Sequence, residues 1–198
     1  MTNRGFTLIE ILVAMAITSG CLLFVTYFAI NVSGFGNSLS TRLESEFELQ
    51  LTLRAMISEI RSMGPGGNGA YPIATATGTT FTFYSDIDGN GTFEQIRYFL
   101  EGAILKKGVT QPTATEPVLY PSANEVIAPV VHYLTSTSIF MYYPEGLPGD
   151  IPPLASPVDV SKIRLVQIAG TVDKDTSQPP SPTTLSITVT IRNLRGEI

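Results

Sequence analysis

An apolar run near the N-terminus constrains the fold of this 198-residue chain more than any other feature. From Ile11 to Ile30 there are twenty consecutive residues without a formal charge, rich in Ile, Leu, Val and Phe. At a rise of about 1.5 Å per residue, a helix of this length crosses a hydrocarbon core of about 30 Å. Because Arg4 precedes the run and the first acid after it is Glu44, the positive-inside rule predicts a cytoplasmic N-terminus and an extracytoplasmic remainder.

Glu10 is unusual because it stands inside the apolar sequence "GFTLIEILVAMAI". A carboxylate in a membrane segment costs about 2.5 to 3.5 kcal/mol on insertion scales, so it implies a partner or a function. A second interpretation remains open, in which Glu10 snorkels to the nearby cytoplasmic interface.

Other N-terminal signals fit the run less well. A cleaved secretory signal is disfavoured because the apolar residues continue through "CLLFVTYFAI". The same residues argue against a lipoprotein signal, although "TSGC" at Thr18 to Cys21 has its small residues and its cysteine. An uncleaved signal anchor explains the length of the run but gives no reason for Glu10.

The sequence "RGFTLIEILVAMAI" resembles the type III signal of type IV pilins and type II secretion pseudopilins. The resemblance rests on a basic leader, a glycine, then Phe, Thr and Leu, a glutamate and an aliphatic helix. It implies that a prepilin peptidase cleaves between Gly5 and Phe6 and methylates the new amine of Phe6. It also implies that Glu10 pairs with the corresponding amine of a neighbouring subunit and so sets the axial register of assembly.

The composition excludes several classes of function. A net charge of −5 without a block of Lys or Arg does not predict a nucleic-acid partner. Cys21 is the single cysteine, so the chain has no intrachain disulfide or cysteine-based metal cluster. His132 is the single histidine and is predicted to be an ordinary strand residue. With no catalytic constellation in the sequence, we predict neither an enzyme nor a cofactor.

The spacing of polar and apolar residues over 31–63 predicts an amphipathic continuation of the helix. Gly34 and Gly36 indicate a joint, and "MGPGGNG" at residues 63–69 is expected to end the helix. One arc is polar or small and the opposite arc is apolar. The polar arc comprises Thr41, Glu44, Ser45, Glu48, Thr52, Ala55 and Glu59; the apolar arc comprises Leu39, Leu43, Phe47, Leu53, Met56, Ile57 and Ile60.

Residues 70–198 have the short alternating and β-branched runs of a β-rich domain. Within it, Tyr98, Tyr142 and Tyr143 are expected to pack in the sheets and not to form an adhesive surface. The predicted strands are Thr79 to Tyr84, Gln95 to Leu100, Ala103 to Lys107, Glu125 to Tyr133, Ser138 to Tyr143, Lys162 to Thr171 and Thr184 to Asn193.

The segment "DIDGNGTFE" allows two interpretations. Asp86, Asp88 and Asn90 occupy the first, third and fifth positions of an EF-hand-like calcium loop, with Gly91 at the sixth. The twelfth position is Arg97 instead of a bidentate glutamate. Since Asp, Asn and Gly are also the residues of a hairpin turn, the turn is the favoured interpretation and no metal ligand is assigned.

Together these patterns predict an α+β, pilin-like fold, with a long N-terminal helix packed on a β-rich C-terminal domain. We expect a leader peptide at residues 1–5, a transmembrane helix at 6–30, its amphipathic continuation at 31–63 and an extracytoplasmic domain at 70–198. The order of "LRAMISEIRSMG", "FTFYSDIDGNGTFEQIRYFLEGAILKKG" and "SITVTIRN" resembles the J-type minor pseudopilins and the W-type minor pilins.

This resemblance implies a minor pilin or pseudopilin, assembled at or near the tip of a type IV pilus or a type II secretion pseudopilus. The expected partners are prepilin peptidase, other pilin subunits, the inner-membrane assembly platform and membrane lipid. The protein would first lie in the cytoplasmic membrane as a single-pass protein and then in the pilus or pseudopilus. A different class remains open, namely a membrane-anchored adhesin or binding module, with calcium as a stabilising ion.

Overall fold

A computed structural model describes residues 7–146, 148–173 and 182–191 of the chain. The chain divides into two compact units, residues 1–41 and residues 42–198. The single long helix, α1, runs over Leu8–Arg61, and its residues are shared between the two units. Gly5 and Phe6 lie outside the described residues.

The first unit contains the N-terminal part of α1. Residues Leu8–Val32 form a segment of 25 residues with a mean hydropathy of 2.4, long and apolar enough to cross a membrane. Two of its threonines bond to the helix backbone: the hydroxyls of Thr18 and Thr26 donate to the carbonyls of Ala14 and Leu22 at 2.7 and 2.8 Å. Such bonds satisfy polar groups without a partner chain. The helix includes Gly34 and Gly36, where the sequence predicts a joint.

The second unit contains two antiparallel sheets that follow the end of α1. One sheet has five strands in chain order, β1 (Ile73–Ala76), β2 (Thr80–Ser85), β3 (Glu94–Glu101), β4 (Ile104–Thr110) and β5 (Val126–Val131). The other has three, β6 (Phe140–Tyr143), β7 (Leu165–Val172) and β8 (Thr183–Thr190). Short 3₁₀ turns occur at Ser122–Asn124 and Val160–Lys162. The predicted α+β class is therefore confirmed.

The seven predicted strands correspond to β2 through β8. The last strand was predicted to reach Asn193. Its final two predicted residues, Arg192 and Asn193, lie outside the described residues. The prediction missed β1, a four-residue edge strand whose register with β2 shifts between Ile73 and Thr75. A strand this short and irregular has too few residues to show an alternating pattern.

The apolar arc predicted for α1 is confirmed at Leu53, Met56 and Ile60 and is wrong at two positions that precede them. Leu49, Leu53, Met56 and Ile60 are buried in the core. Leu43 and Phe47, which were expected on the buried arc, are 58% and 61% exposed. The side chains of Leu39, Thr41 and Ser45 lie outside the described part of the chain.

The difference has a physical reason in the hydrogen bonds between polar helix residues and the sheets. Thr52, predicted on the polar arc, is only 8% exposed, and its hydroxyl donates to the carbonyl of Val130 at 3.1 Å. Glu46 accepts a 2.6 Å bond from the hydroxyl of Thr183. A polar residue can face the core when its hydrogen bonds are made there, so polarity alone did not identify the solvent-facing side.

Aromatic side chains fill the centre of the second unit. The ring of Phe81 lies 4.9 Å from Phe83, 5.8 Å from Phe140 and 5.5 Å from Tyr142, measured between centroids. Tyr98, Tyr142 and Tyr143 are each at most 4% exposed. The prediction that these tyrosines pack in the sheets is confirmed.

Candidate functional site

Glu10 lies in the first turn of α1, one turn after Thr7. The backbone amide and the hydroxyl of Thr7 each donate to Glu10 Oε2 at 3.0 Å. The backbone amide of Glu10 donates in return to the hydroxyl of Thr7 at 3.4 Å. This reciprocal pair is a capping box, in which two residues satisfy amides that a helix start leaves without intrahelical partners.

The capping box gives Glu10 a role within its own chain. The spacing Thr-x-x-Glu before an apolar run is a sequence signature of a helix N-terminus, so Thr7 could have been identified from the sequence together with Glu10, but it was not predicted. The side chain of Glu10 is exposed in the single chain, so a cation on another chain can still reach it. Gly5 and Phe6, the other two predicted site residues, lie outside the described residues, and their positions relative to Glu10 stay predictions.

The second polar constellation lies in the loop between β2 and β3. These strands pair as an antiparallel hairpin, and Gly89 and Gly91 have φ of 72° and 86°. Asp86 Oδ1 accepts from the backbone amide of Gly89 at 2.8 Å, and Asp86 Oδ2 from that of Gly91 at 2.9 Å. The predicted hairpin turn is confirmed, with glycine at positions where positive φ favours it.

The loop also gathers acidic residues in a set that differs from the predicted one. Asp86, Asp88 and Glu94 each place a carboxylate oxygen within 4.8 Å of the others. Asn90 is not in this group: its amide nitrogen donates to Asp88 Oδ2 at 2.8 Å and its amide oxygen accepts from the Thr92 backbone at 2.7 Å. Glu94 was not predicted from the sequence, because the comparison with the EF-hand covered the first, third, fifth, sixth and twelfth positions and not the ninth, where Glu94 stands.

The single histidine, His132, and the single cysteine, Cys21, lie in different parts of the fold. His132 directly follows β5, and its backbone amide and Nδ1 lie 3.1 and 3.0 Å from Glu48 Oε2 on α1. The side chain therefore joins the end of β5 to the helix. Cys21 is an exposed free cysteine in the apolar segment of α1.

Comparison with known proteins bears on the N-terminal segment. Residues 1–19 match the family described as the prokaryotic N-terminal methylation motif. A comparison with curated proteins gives no match. The chain therefore combines an N-terminal methylation signal, a membrane-capable helix and a β-rich domain of two antiparallel sheets.

These three features fit the prepilin signal and architecture of type IV pilins and pseudopilins. The motif indicates a structural subunit. A signal of this kind implies processing by prepilin peptidase and assembly with other pilins, and the apolar helix fits membrane anchoring.

Proposed function

We propose that this protein is a minor pilin or pseudopilin, cleaved between Gly5 and Phe6, methylated on the amine of Phe6 and assembled into a type IV pilus or a type II secretion pseudopilus. One observation carries the proposal: the methylation motif at residues 1–19 runs directly into an apolar helical segment, Leu8–Val32. We assign the chain no catalytic role.

In this proposal Glu10 sets the register between subunits. Cleavage after Gly5 removes Arg4 and leaves an ammonium on Phe6, so that Glu10 becomes the fifth residue of the mature chain. A carboxylate in low dielectric is stabilised by an opposite charge within about 4 to 6 Å. The amine of a neighbouring subunit supplies that charge, and methylation preserves it.

An exposed apolar stripe on α1 provides a packing surface for the assembled state. Leu43, Phe47 and Leu51 recur every fourth residue and are 58%, 61% and 49% exposed, whereas Met56 and Ile60 are fully buried. Residues four apart lie on the same helix face, so the three side chains form one continuous surface. Helices of other subunits would bury this stripe in the filament.

The expected topology follows from the same signal. The proposed boundaries are a leader at 1–5, a transmembrane helix at 6–30, a helical continuation at 31–63 and an extracytoplasmic domain at 70–198. The protein crosses the inner membrane once with its N-terminus in the cytoplasm, contacts lipid and the assembly platform there, and then enters the filament. The acidic chain is expected to have no nucleic-acid partner. A position at or near the tip, and a J-type or W-type identity, rest on the order of sequence segments after the helix.

Mass spectrometry of the N-terminus tests the proposal. Filaments sheared from cells that carry the wild-type gene and its neighbours should contain a chain that begins at N-methylated Phe6, whereas Gly5→Val should leave the uncleaved form in the membrane. A protein found only with intact Met1 or Arg4 in the membrane would overturn the proposal. That result would favour the membrane-anchored binding module instead.

A further inference from the structure

The loop between β2 and β3 places three carboxylates around one small volume. Asp86 is half-buried, Asp88 is exposed and Glu94, the first residue of β3, is buried, with one oxygen from each within 4.8 Å of the others. The Asp86 carboxylate is oriented by backbone amides, including those of Gly89 and Gly91. Three carboxylate oxygens gathered in one loop are the kind of donor set that binds a hard divalent cation.

Glu94 provides a separate observation that points to a ligand. Its side chain is 0% exposed, and among the described residues no donor reaches Oε1. Its other oxygen, Oε2, accepts a 3.1 Å bond from the backbone amide of Ile87. A buried acceptor without a partner costs about 1 to 3 kcal/mol, and more when it is charged. An orphaned carboxylate oxygen beside two further acids is what a cation would satisfy.

We propose that this loop binds one Ca²⁺ through Asp86, Asp88 and Glu94. The three residues stand at the first, third and ninth positions of the EF-hand spacing. In place of the missing glutamate at the twelfth position, the buried Glu94 provides the carboxylate that closes the site. Arg97 does not enter it, because its guanidinium pairs with both oxygens of Glu125 at 2.8 and 2.7 Å.

Calcium fits this donor set better than magnesium. Mg²⁺ requires near-ideal octahedral geometry, whereas Ca²⁺ accepts irregular oxygen shells completed by water. Three carboxylates on an open loop predict an affinity in the range of extracellular calcium modules, with Kd of about 10⁻⁴ to 10⁻³ M. The bound ion would tie the loop to the start of β3. This inference does not depend on the proposed assembly function.

The test is calorimetric titration of the full chain in detergent with CaCl₂, with MgCl₂ as the competing ion. The wild type should bind one Ca²⁺ and unfold at a higher temperature in millimolar calcium, since an ion that binds only the folded state stabilises it. Glu94→Gln and Asp88→Asn should each weaken binding at least tenfold. Glu145→Gln, which removes an exposed acid after β6 that does not belong to the acidic group, is the matched control and should bind as the wild type does.

Two results would overturn the proposal. One is the absence of both heat and a thermal shift in wild-type protein at millimolar calcium. The other is calcium binding that Glu94→Gln and Asp88→Asn leave unchanged, which would place the ion elsewhere. Because Asp88 is exposed, Asp88→Asn is expected to fold even if the Glu94 variant does not.

Discussion

The phenol of Tyr98 on β3 donates a 2.9 Å hydrogen bond to Glu59 Oε2 on α1. Lys107 on β4 forms an ion pair with the other oxygen of the same carboxylate. The Tyr98 residue is 1% exposed, and the side chains of Glu59 and Lys107 are 11% and 20% exposed. Two neighbouring strands therefore bind the carboxylate of Glu59. The sequence predicted Glu59 on the polar arc of the helix, but its side chain is largely enclosed.

Tyr98→Phe should lower the free energy of unfolding by about 1 to 3 kcal/mol, because Glu59 loses a buried donor. The ring and its packing are retained, so the loss reports mainly on the hydrogen bond. Denaturant unfolding of the full chain in detergent measures it. Tyr71→Phe, at a side chain that is 39% exposed, is the control and should change stability by less than about 0.5 kcal/mol. Equal losses in the two variants would contradict a special role for the Glu59 bond.

Alkaline pH should destabilise the fold through its buried tyrosines. Burial raises the pKa of Tyr98, reinforced by the charge of Glu59, and burial also raises the pKa of Tyr142. Above the unfolded pKa of about 10, the unfolded phenols lose protons that the folded ones keep, so stability falls as pH rises. The decrease is about 1.4 kcal/mol per pH unit for each phenol.

The free energy of unfolding, measured at several pH values from neutral to alkaline, should show this slope. Tyr98→Phe removes one of the two phenols and should therefore reduce by about half the slope that Tyr98 and Tyr142 produce together. Phenolate absorbance gives an independent check. If all eight tyrosines ionise before the domain unfolds, the two buried phenols are not protected and the prediction is wrong.

The sequence predicted local features better than long-range ones. Alternating apolar residues identified β8 because Leu185, Ile187 and Val189 all face inward relative to their exposed neighbours. The apolar arc of α1 was right at Leu53, Met56 and Ile60, but Thr52 was wrongly assigned to the solvent-facing side, because its bond to Val130 joins residues 78 positions apart. Periodicity cannot show such a partner. Glu94 was missed for a different reason: it stands only eight residues after Asp86, at the ninth position of the calcium-loop spacing, and that position was not compared.

We predict that the ion pair between Arg97 and Glu125 requires a glycine at position 108. Arg97 and Gly108 are cross-strand partners on β3 and β4, and Glu125 crosses Gly108 to reach the guanidinium. A Cβ at position 108 would overlap the Glu125 carboxylate. Gly108→Ala should therefore displace Glu125 and cost about 1 to 2 kcal/mol of stability, a moderate value because Arg97 is partly exposed.

A double-mutant cycle isolates this effect. In Glu125→Ala, which empties the space over Gly108, adding Gly108→Ala should change stability by less than about 0.5 kcal/mol. Costs that simply add in the double variant would show that the glycine is needed for a reason other than the carboxylate.

Truncating a side chain should reduce the stability of the fold on the buried face of α1 and leave it almost unchanged on the exposed face. Met56 is 0% exposed, so Met56→Ala should cost about 2 to 5 kcal/mol of stability. Phe47 is 61% exposed, so Phe47→Ala should leave the stability of the isolated chain within about 0.5 kcal/mol of the wild type. The same Phe47 variant should lower incorporation into sheared filaments. Normal incorporation of the Phe47 variant would contradict the proposed packing role of the exposed stripe.

Glu10 has an observed role as a cap for its own helix and a proposed role as a charge for a neighbouring chain. Glu10→Ala removes both, Glu10→Gln keeps a capping side chain without the charge, and Thr7→Ala keeps the charge without the hydroxyl of the cap. If register depends on pairing with the Phe6 amine, Glu10→Gln should impair incorporation as severely as Glu10→Ala. Thr7→Ala should then incorporate almost normally, since losing a cap costs only about 0.5 to 2 kcal/mol of helix stability.

Cleavage and incorporation must be measured in the same cells, because Thr7 lies two residues after the proposed cleavage site. All three variants should yield a chain that begins at Phe6, which confines their difference to assembly. The opposite pattern, with Glu10→Gln incorporated normally and Thr7→Ala impaired, would assign Glu10 to helix capping alone. In that event the carboxylate of Glu10 would be satisfied within its own chain, as its bonds to Thr7 already allow, and register would have to come from contacts of the helix faces.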